Sequence, residues 1–201
     1  MAVSPKAALR RRLLAARSAV PAARHAADAD ALRAHLAALP VAGSTVCAYV
    51  PAGAEPGTPA MLAALRRRGL RVLIPAVAAG DPAPLRWGDY HAETLAAGRF
   101  GLAEPPPPWL PPRALGRAAL VLVPALAVDA AGVRLGRGGG FYDRSLPLAD
   151  PRAPRVAVVR DDELLAALPA DPHDVAMTHA LTPARGLVAL TGHGAGITPS
   201  D

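Results

Sequence analysis

Cysteine is nearly absent from this chain. Cys47 stands alone, so it can close no internal disulfide and supply no cysteine-based zinc cluster. A reducing compartment, the cytoplasm, is the expected location. Aromatic residues are only 3% of the sequence, which leaves a core built mainly from Ala, Val and Leu. Charged residues are also few, at 19% against 52% hydrophobic, and this excludes a wholly disordered chain. No Gly-X-Y period accompanies the 18 glycines and 23 prolines, so a collagen-like assembly is excluded. No apolar run reaches the roughly 20 residues that span a bilayer. The longest, from Ala118 to Val128, contains Pro124 and stops at Asp129. Acid is missing from the N-terminal stretch: nothing acidic precedes Asp28, whereas Lys6, Arg10, Arg11, Arg12, Arg17 and Arg24 do. A transit peptide has that look. An ordinary basic helix fits better, with Ser4-Pro5 as N-cap and first turn and a narrow stripe of Leu9, Leu13 and Leu14. Arg17 interrupts the only candidate secretory hydrophobic region.

What is present is a chain of 201 residues, long enough for one domain with a sizeable core. Its net charge of +6 favours anionic partners without choosing among phosphates, nucleic acid, acidic metabolites and membrane surface. Helices are expected over 4–19 and 22–39, divided by Pro21. Thr45 to Val50 reads as a buried strand, Thr58 to Arg68 as a helix stopped by Gly69, and Arg71 to Ile74 as the next strand. That spacing is a parallel crossover unit, right-handed by strong rule. Residues 76–117 are rich in Pro and Gly; Leu85 to Tyr90 is a candidate strand, and Pro105–Pro108 an extended loop. Further strands are expected at Leu120 to Val123, Arg155 to Val159 and Gly186 to Leu190. Helical pieces are expected at Phe141 to Leu148 and Glu163 to Leu168. Alternating strands and helices predict a single three-layer α/β domain over residues 1–190. Its sheet is mostly parallel and Rossmann-like, with basic N-terminal helices and a disordered polar tail over 191–201. In such sheets ligands bind beyond the carboxyl ends of the strands.

The segment from Arg134 to Arg144, RLGRGGGFYDR, is the densest concentration of chemistry. Its glycines let backbone N–H groups approach an anion. Arg134, Arg137 and Arg144 add charge, and a following helix start favours phosphate. Phe141 and Tyr142 can pack on a flat ring, and Asp143 can hold a metal bound to phosphates. It is not a P-loop, because Gly140 is followed by Phe141 rather than Lys-Ser/Thr. It is not a dinucleotide fingerprint either, because Phe141 takes the place of the third glycine. A flexible surface turn is the plain alternative.

Val123 to Asp129 (VPALAVD) followed by Gly132 to Asp143 (GVRLGRGGGFYD) is similar to the signature of the 5-formyltetrahydrofolate cyclo-ligase family, also called methenyltetrahydrofolate synthetase. That signature is a hydrophobic strand ending in Pro, then Asp, Gly and R-L-G-x-G-x-G-[YF]-Y-D. Lys6 and Arg10 match an N-terminal K-x-x-x-R. Val50 to Thr58 (VPAGAEPGT) resembles a strand-end loop bearing a glutamate, and Pro169 to Asp174 (PADPHD) a late segment ending in aspartate. The resemblance covers roughly residues 4–185. Two departures stand out. Thr178 and His179 occupy a place where relatives often carry a further acid, and Phe141 replaces the first Tyr.

The resemblance implies ATP- and Mg²⁺-dependent cyclisation of 5-formyltetrahydrofolate to 5,10-methenyltetrahydrofolate, with ADP and phosphate released through a phosphorylated formyl group. It implies ATP binding by Lys6, Arg10, Arg134, Leu135, Gly136, Arg137, Gly138, Gly139, Gly140, Phe141 and Tyr142. Folate binding falls to Val50, Glu55 and Phe100, together with Arg137 to Phe141. Mg²⁺ falls to Asp143 and Asp174. The implied protein is a monomer acting on small molecules, with no nucleic acid and no membrane as partner. Taken alone, Lys6 and Arg10 read equally as a solvated helix face and Glu55 as a loop carboxylate. Asp174 reads as a turn cap or an arginine partner, and Cys47 as a small buried hydrophobe. His173 and His179 form no metal-ligand spacing. Another ATP- or CoA-handling α/β enzyme remains open on fold alone. So does a basic nucleic-acid-binding protein, although it would lack interleaved aromatics and any known module.

Overall fold

Pro5 begins the first helix, α1 (Pro5–Ser18), where its missing N–H leaves no bond unmade. Ser4 takes the N-cap position, but its hydroxyl makes no capping hydrogen bond. Pro21 ends the connection and α2 (Ala22–Ala38) follows. The structure, a computed structural model, describes residues 4–78, 80–171 and 174–191. The expectations for His173 and for the tail beyond Thr191 therefore lie outside the described residues.

The crossover unit forms as expected. Strand β1 (Thr45–Cys47), helix α3 (Ala60–Arg67) and strand β2 (Arg71–Ala76) follow in order, with β1 parallel to β2. Strand β3 (Arg86–Asp89) returns antiparallel along β2. A two-residue ladder, β4 (Ala96–Ala97) with β5 (Ala103–Glu104), lies in the Pro- and Gly-rich stretch 76–117. Strand β6 (Leu120–Pro124) re-enters the main sheet on the other side of β1. The chain then makes β7 (Ala127–Asp129), β8 (Arg134–Leu135) and the short helix α4 (Phe141–Ser145). Strands β9 (Arg155–Val158), β10 (Leu164–Leu165), β11 (His179–Thr182) and β12 (Gly186–Ala189) complete it.

The seven-stranded sheet has the order β12-β11-β9-β6-β1-β2-β3. Its five central strands are parallel, and β3 and β12 are antiparallel edges. Successive side chains alternate between two buried faces. Val46, Val72, Ile74, Leu120, Leu122 and Val156 pack with Leu32 and Leu36 of α2 and Leu62 and Leu65 of α3. Cys47, Leu73, Val121, Val123 and Ala157 face the other way, against Trp87, Leu115 and Leu146. Each fully buried large side chain contributes about 1.5–3 kcal/mol. The second face is covered mostly by short 3-10 turns, Pro112–Arg117 and Leu146–Leu148, rather than by long helices. A third cluster joins Leu13 of α1 to Leu126, Leu135 and Leu168 beside the small sheet β10-β7-β8.

Three local expectations change. The segment Glu163 to Leu168 is not helical: a 3-10 turn covers Asp161–Glu163, and Leu164–Leu165 pairs with β7. The Glu163 carboxylate is held by two arginines, and this pins the turn and feeds the next residues into the ladder. The helix expected over Phe141 to Leu148 divides into α4 and a 3-10 turn. Strand β11 has no counterpart in the sequence reading, because HALT alternates neither way and becomes a strand through pairing with β9 and β12. Cys47 is fully buried, and burial pushes its thiol up to about 12, so it acts as a small hydrophobe.

Candidate active site

Chain order reverses between β1 and β6. From β1 the chain moves outward to β2 and β3, then crosses back to β6, β9 and β11 on the opposite side. At such a switch point the loops beyond adjacent strand ends diverge and leave a crevice. The loop after β1 carries Glu55, and the chain after β6 carries the glycine segment. A cavity of about 400 Å³ lies between them. Glu55, Phe100, Arg134, Gly136 to Gly140, Phe141, Tyr142 and Asp143 all line it.

The glycine segment adopts a shape other residues resist. Gly138 and Gly140 have φ of +99° and +70°, a region that favours glycine. Helix α4, which starts at Phe141, has only five residues, so loop amides rather than a long helix dipole would meet an anion.

Helix α1 is drawn onto this loop by its basic face. The Arg10 Nε donates to the Gly136 carbonyl at 2.9 Å. Lys6, one turn earlier, donates to Asp171 at 2.6 Å and to Asp174 at 3.1 Å. Burial alone lowers the Lys6 pKa; the bonds to the two aspartates outweigh that, and the net shift is upward. Lys6, Arg10 and Asp174 thus gather beside the loop without forming the cavity wall. Val50 packs at the margin of the helix-covered core, and Leu135 is buried in the third cluster.

The acidic groups are each paired. The Arg137 Nε meets Glu55 Oε1 at 3.1 Å, while Glu55 Oε2 accepts the Ala52 N–H at 2.9 Å. Asp143 is bonded to the buried Arg134 guanidinium. Two donors, Arg134 Nε and the Tyr142 hydroxyl, are buried with no hydrogen-bond partner among the described residues. Burial raises the Tyr142 pKa, so the phenol stays neutral. Phe100 is 67% exposed, with φ of +61°, and meets Phe141 edge to face at 6.0 Å. Arg99 lies over its ring at 4.9 Å.

Sequence reasoning missed Arg17, which also lines the cavity. Its Nε and Nη2 donate to Glu163 at 2.6 and 2.7 Å, and Nη2 also reaches the Ala125 carbonyl at 2.6 Å. Arg160 extends the network to Asp28 at 3.2 Å and to the Ala54 carbonyl at 3.2 Å, next to Glu55. The signal was present: Lys6, Arg10, Leu13 and Arg17 recur at helical spacing and share one face of α1. Pro75, Val77, Leu85 and Leu102, from strand ends and loops, supply apolar wall and carry no motif.

Residues 2–183 match the model of the 5-formyltetrahydrofolate cyclo-ligase family. The chain belongs to that family. The cyclo-ligase of Mycolicibacterium smegmatis is 57% identical over 193 residues, covering 94% of this chain and 100% of the relative. The cyclo-ligase of Escherichia coli K12 is 29% identical over 147 residues, covering 72% of this chain and 81% of the relative. The solution structure of Aquifex aeolicus 5,10-methenyltetrahydrofolate synthetase shares the fold, with a TM-score of 0.78 at 23% identity over 97% of each chain. A Mycoplasma pneumoniae 5,10-methenyltetrahydrofolate synthetase gives a TM-score of 0.66 at 21% identity, covering 87% of this chain and 96% of that one. Both neighbours support the mixed α/β architecture. This cyclo-ligase family member is therefore an enzyme, a ligase of folate one-carbon metabolism, and no described helix is long and apolar enough to cross a membrane.

No group of three His, Cys, Asp or Glu converges as a metal cluster among the described residues. That still fits Mg²⁺, which usually takes one or two carboxylates and completes its shell with water and substrate phosphates. Asp143 offers a hard oxygen donor on the cavity wall, with 29% of its side chain exposed.

Proposed function

We propose that the chain catalyses the ATP- and Mg²⁺-dependent cyclisation of 5-formyltetrahydrofolate to 5,10-methenyltetrahydrofolate. The observation that carries this is the convergence of Glu55 and the glycine segment on one cavity, bridged by Arg137. Formyl oxygen on N5 is a poor leaving group. Transfer of the ATP γ-phosphoryl to that oxygen makes it one that departs as phosphate. N10 then attacks the formyl carbon, the C–O bond breaks, N10 loses its proton, and ADP and phosphate are released.

Phosphoryl transfer needs positioning and positive charge more than a protein nucleophile. Backbone amides of Gly136 to Gly140, with Arg134 and Arg137, suit the phosphates. Lys6 and Arg10 support the same loop from α1. When bound, Mg²⁺ would neutralise phosphate charge; Asp143, and Asp174 from the Lys6 side, are its proposed ligands. Glu55 accepts hydrogen bonds from the aminopyrimidine edge of the pterin. Phe100 and Phe141 give an apolar flank, and Tyr142 holds a donor in reserve. Val50 and Leu135 contribute through packing and backbone. The cytoplasm and a monomeric state complete the proposal.

The test is direct: protein, Mg-ATP and 5-formyltetrahydrofolate are mixed and methenyltetrahydrofolate absorbance is followed. One ATP consumed per folate cyclised is expected. Equal cyclisation without nucleotide overturns the reading.

A further inference from the structure

The opposite end of the sheet holds a second cavity, of about 200 Å³. It lies at the amino ends of β1 and β2, where Thr45 and Arg71 begin their strands. The 3-10 turn Pro112–Arg117 closes it from the side and contributes Arg113 and Arg117. Three guanidinium groups therefore share a cavity whose lining has no carboxylate.

Two of these cations are not neutralised in place. Only Arg71 has an acidic partner: its Nε and Nη2 donate to Asp89 at 2.6 and 2.8 Å. That two-point bond fixes the Arg71 plane. The Arg113 and Arg117 residues are exposed, and their side chains make no ion pair or hydrogen bond among the described residues. Arg66, at the end of α3, also lies close enough to Asp89 to help lower its pKa, chiefly lowered by the Arg71 hydrogen bond. Clustered arginines repel one another, and an anion that meets two of them relieves that repulsion and gains charge-assisted bonds. Leu73, Leu110 and Ala114 supply an apolar floor that excludes water from one side.

We propose that this cavity is a second binding site, for a small multiply charged anion of the phosphate-ester or polycarboxylate kind. Its volume falls below the roughly 300–1,000 Å³ of drug-sized ligand pockets, which favours a compact anion over a nucleotide. Its setting separates it from the catalytic cavity, which opens at the carboxyl ends of the same strands and shares no lining residue with it. The proposal is independent of the cyclisation chemistry.

The experiment titrates the full chain with inorganic phosphate and, separately, with citrate at low ionic strength, following backbone amide NMR shifts. Saturable shifts at Thr45, Arg71, Leu110 and 113–117 are expected with at least one probe, and the responding probe identifies the chemistry. The Arg113→Ala/Arg117→Ala variant is expected to weaken that response at least about tenfold, since each lost arginine removes charge-assisted bonds. Its unliganded unfolding midpoint and its basal cyclisation rate are expected to stay unchanged. Arg117→Gln alone, which keeps most of the side chain, is expected to act in the same direction. Shifts confined to the glycine segment, or equal affinity in the double variant, overturn the proposal. So does affinity that climbs steadily with the length of a polyuridylate chain, which would instead mark a nucleic-acid surface.

Discussion

Glu163 and Glu55 both meet arginines near the candidate site cavity, but in different settings. Glu163 is shut inside, where Arg17 takes both its oxygens and the Arg160 N–H binds it at 2.7 Å. The Arg17 and Glu163 side chains are 2% and 5% exposed. Glu55 is also nearly buried, with 9% of its side chain exposed, but its partner Arg137 is 54% exposed and can swing away. The difference is one of replaceability. A buried ion pair cannot be hydrated when broken, so it holds its elements together. A rim pair loses little when a ligand replaces one partner, because water and ligand can take over its bonds. Arg17, Arg160, Asp28 and Glu163 thus fix α1, α2 and the loop of Ala54, while Arg137 and Glu55 remain exchangeable.

The largest test of this contrast is Glu163→Ala. It leaves Arg17 and Arg160 short of their anion, and removing one buried partner costs about 3–5 kcal/mol. At about 2–4 °C per kcal/mol for a chain of this size, the unfolding midpoint should fall by roughly 6–20 °C. A shift under about 2 °C would break the distinction between scaffold and rim.

Glu55→Gln should leave the midpoint almost unchanged. It replaces an acceptor with a donor at the proposed pterin contact, which costs about 1.5–3 kcal/mol, or roughly ten- to a hundredfold in folate affinity. Folate titrations check it. Loss of ATP binding with folate binding intact would invert the two placements in the cavity.

Asp143→Asn tests the metal assignment. The amide is a poorer ligand for a hard cation, so activity at limiting Mg²⁺ should drop several-fold and recover partly at high Mg²⁺. Normal turnover at limiting Mg²⁺ in both this variant and Asp174→Asn would remove both aspartates from the metal site. Lys6→Ala should have a smaller effect, a rise in the ATP requirement of up to about tenfold, with folate affinity kept.

His179 sharpens the same contrast from the other side. It is a buried titratable group without a carboxylate partner among the described residues, and burial lowers its pKa. Below its unfolded value of about 6.5 the unfolded chain takes up a proton that the native ring resists. Its contribution to stability is therefore full above that pH and is lost as pH falls toward the folded pKa. Unfolding midpoints measured across this window should decline, and less so in His179→Gln. An equal decline in both proteins would assign the effect elsewhere.

Much of the frame was legible in local pattern. Pro5, Pro21 and Gly69 punctuate the first three helices where backbone chemistry requires a start or a stop. Val46, Val72, Leu120 and Val156 fall in short apolar runs that only a buried sheet accommodates. The glycine run with Arg134, Arg137 and Asp143 marked the segment that lines the main cavity, because no ordinary turn needs that combination. Legibility failed where a residue's conformation depended on distant partners. Glu163 has good helix propensity, yet Arg17, far away in sequence, takes both its carboxylate oxygens and holds it in a turn with the nearby Arg160 N–H. HALT at 179–182 has weak local preference and became strand by pairing on both sides.

By itself, then, the sequence determined the parallel crossover unit, the basic face of α1 and the concentration of glycine and arginine in residues 134–143. These rest on short-range rules: helical spacing, proline and glycine geometry, and backbone access. Only the tertiary structure decided that Glu55 and the glycine loop share a cavity, that Arg17 belongs beside them, and that Arg113 and Arg117 meet Arg71 at the other end. Strand order brings those groups together, and strand order is set by packing across the whole sheet rather than by any local run of residues.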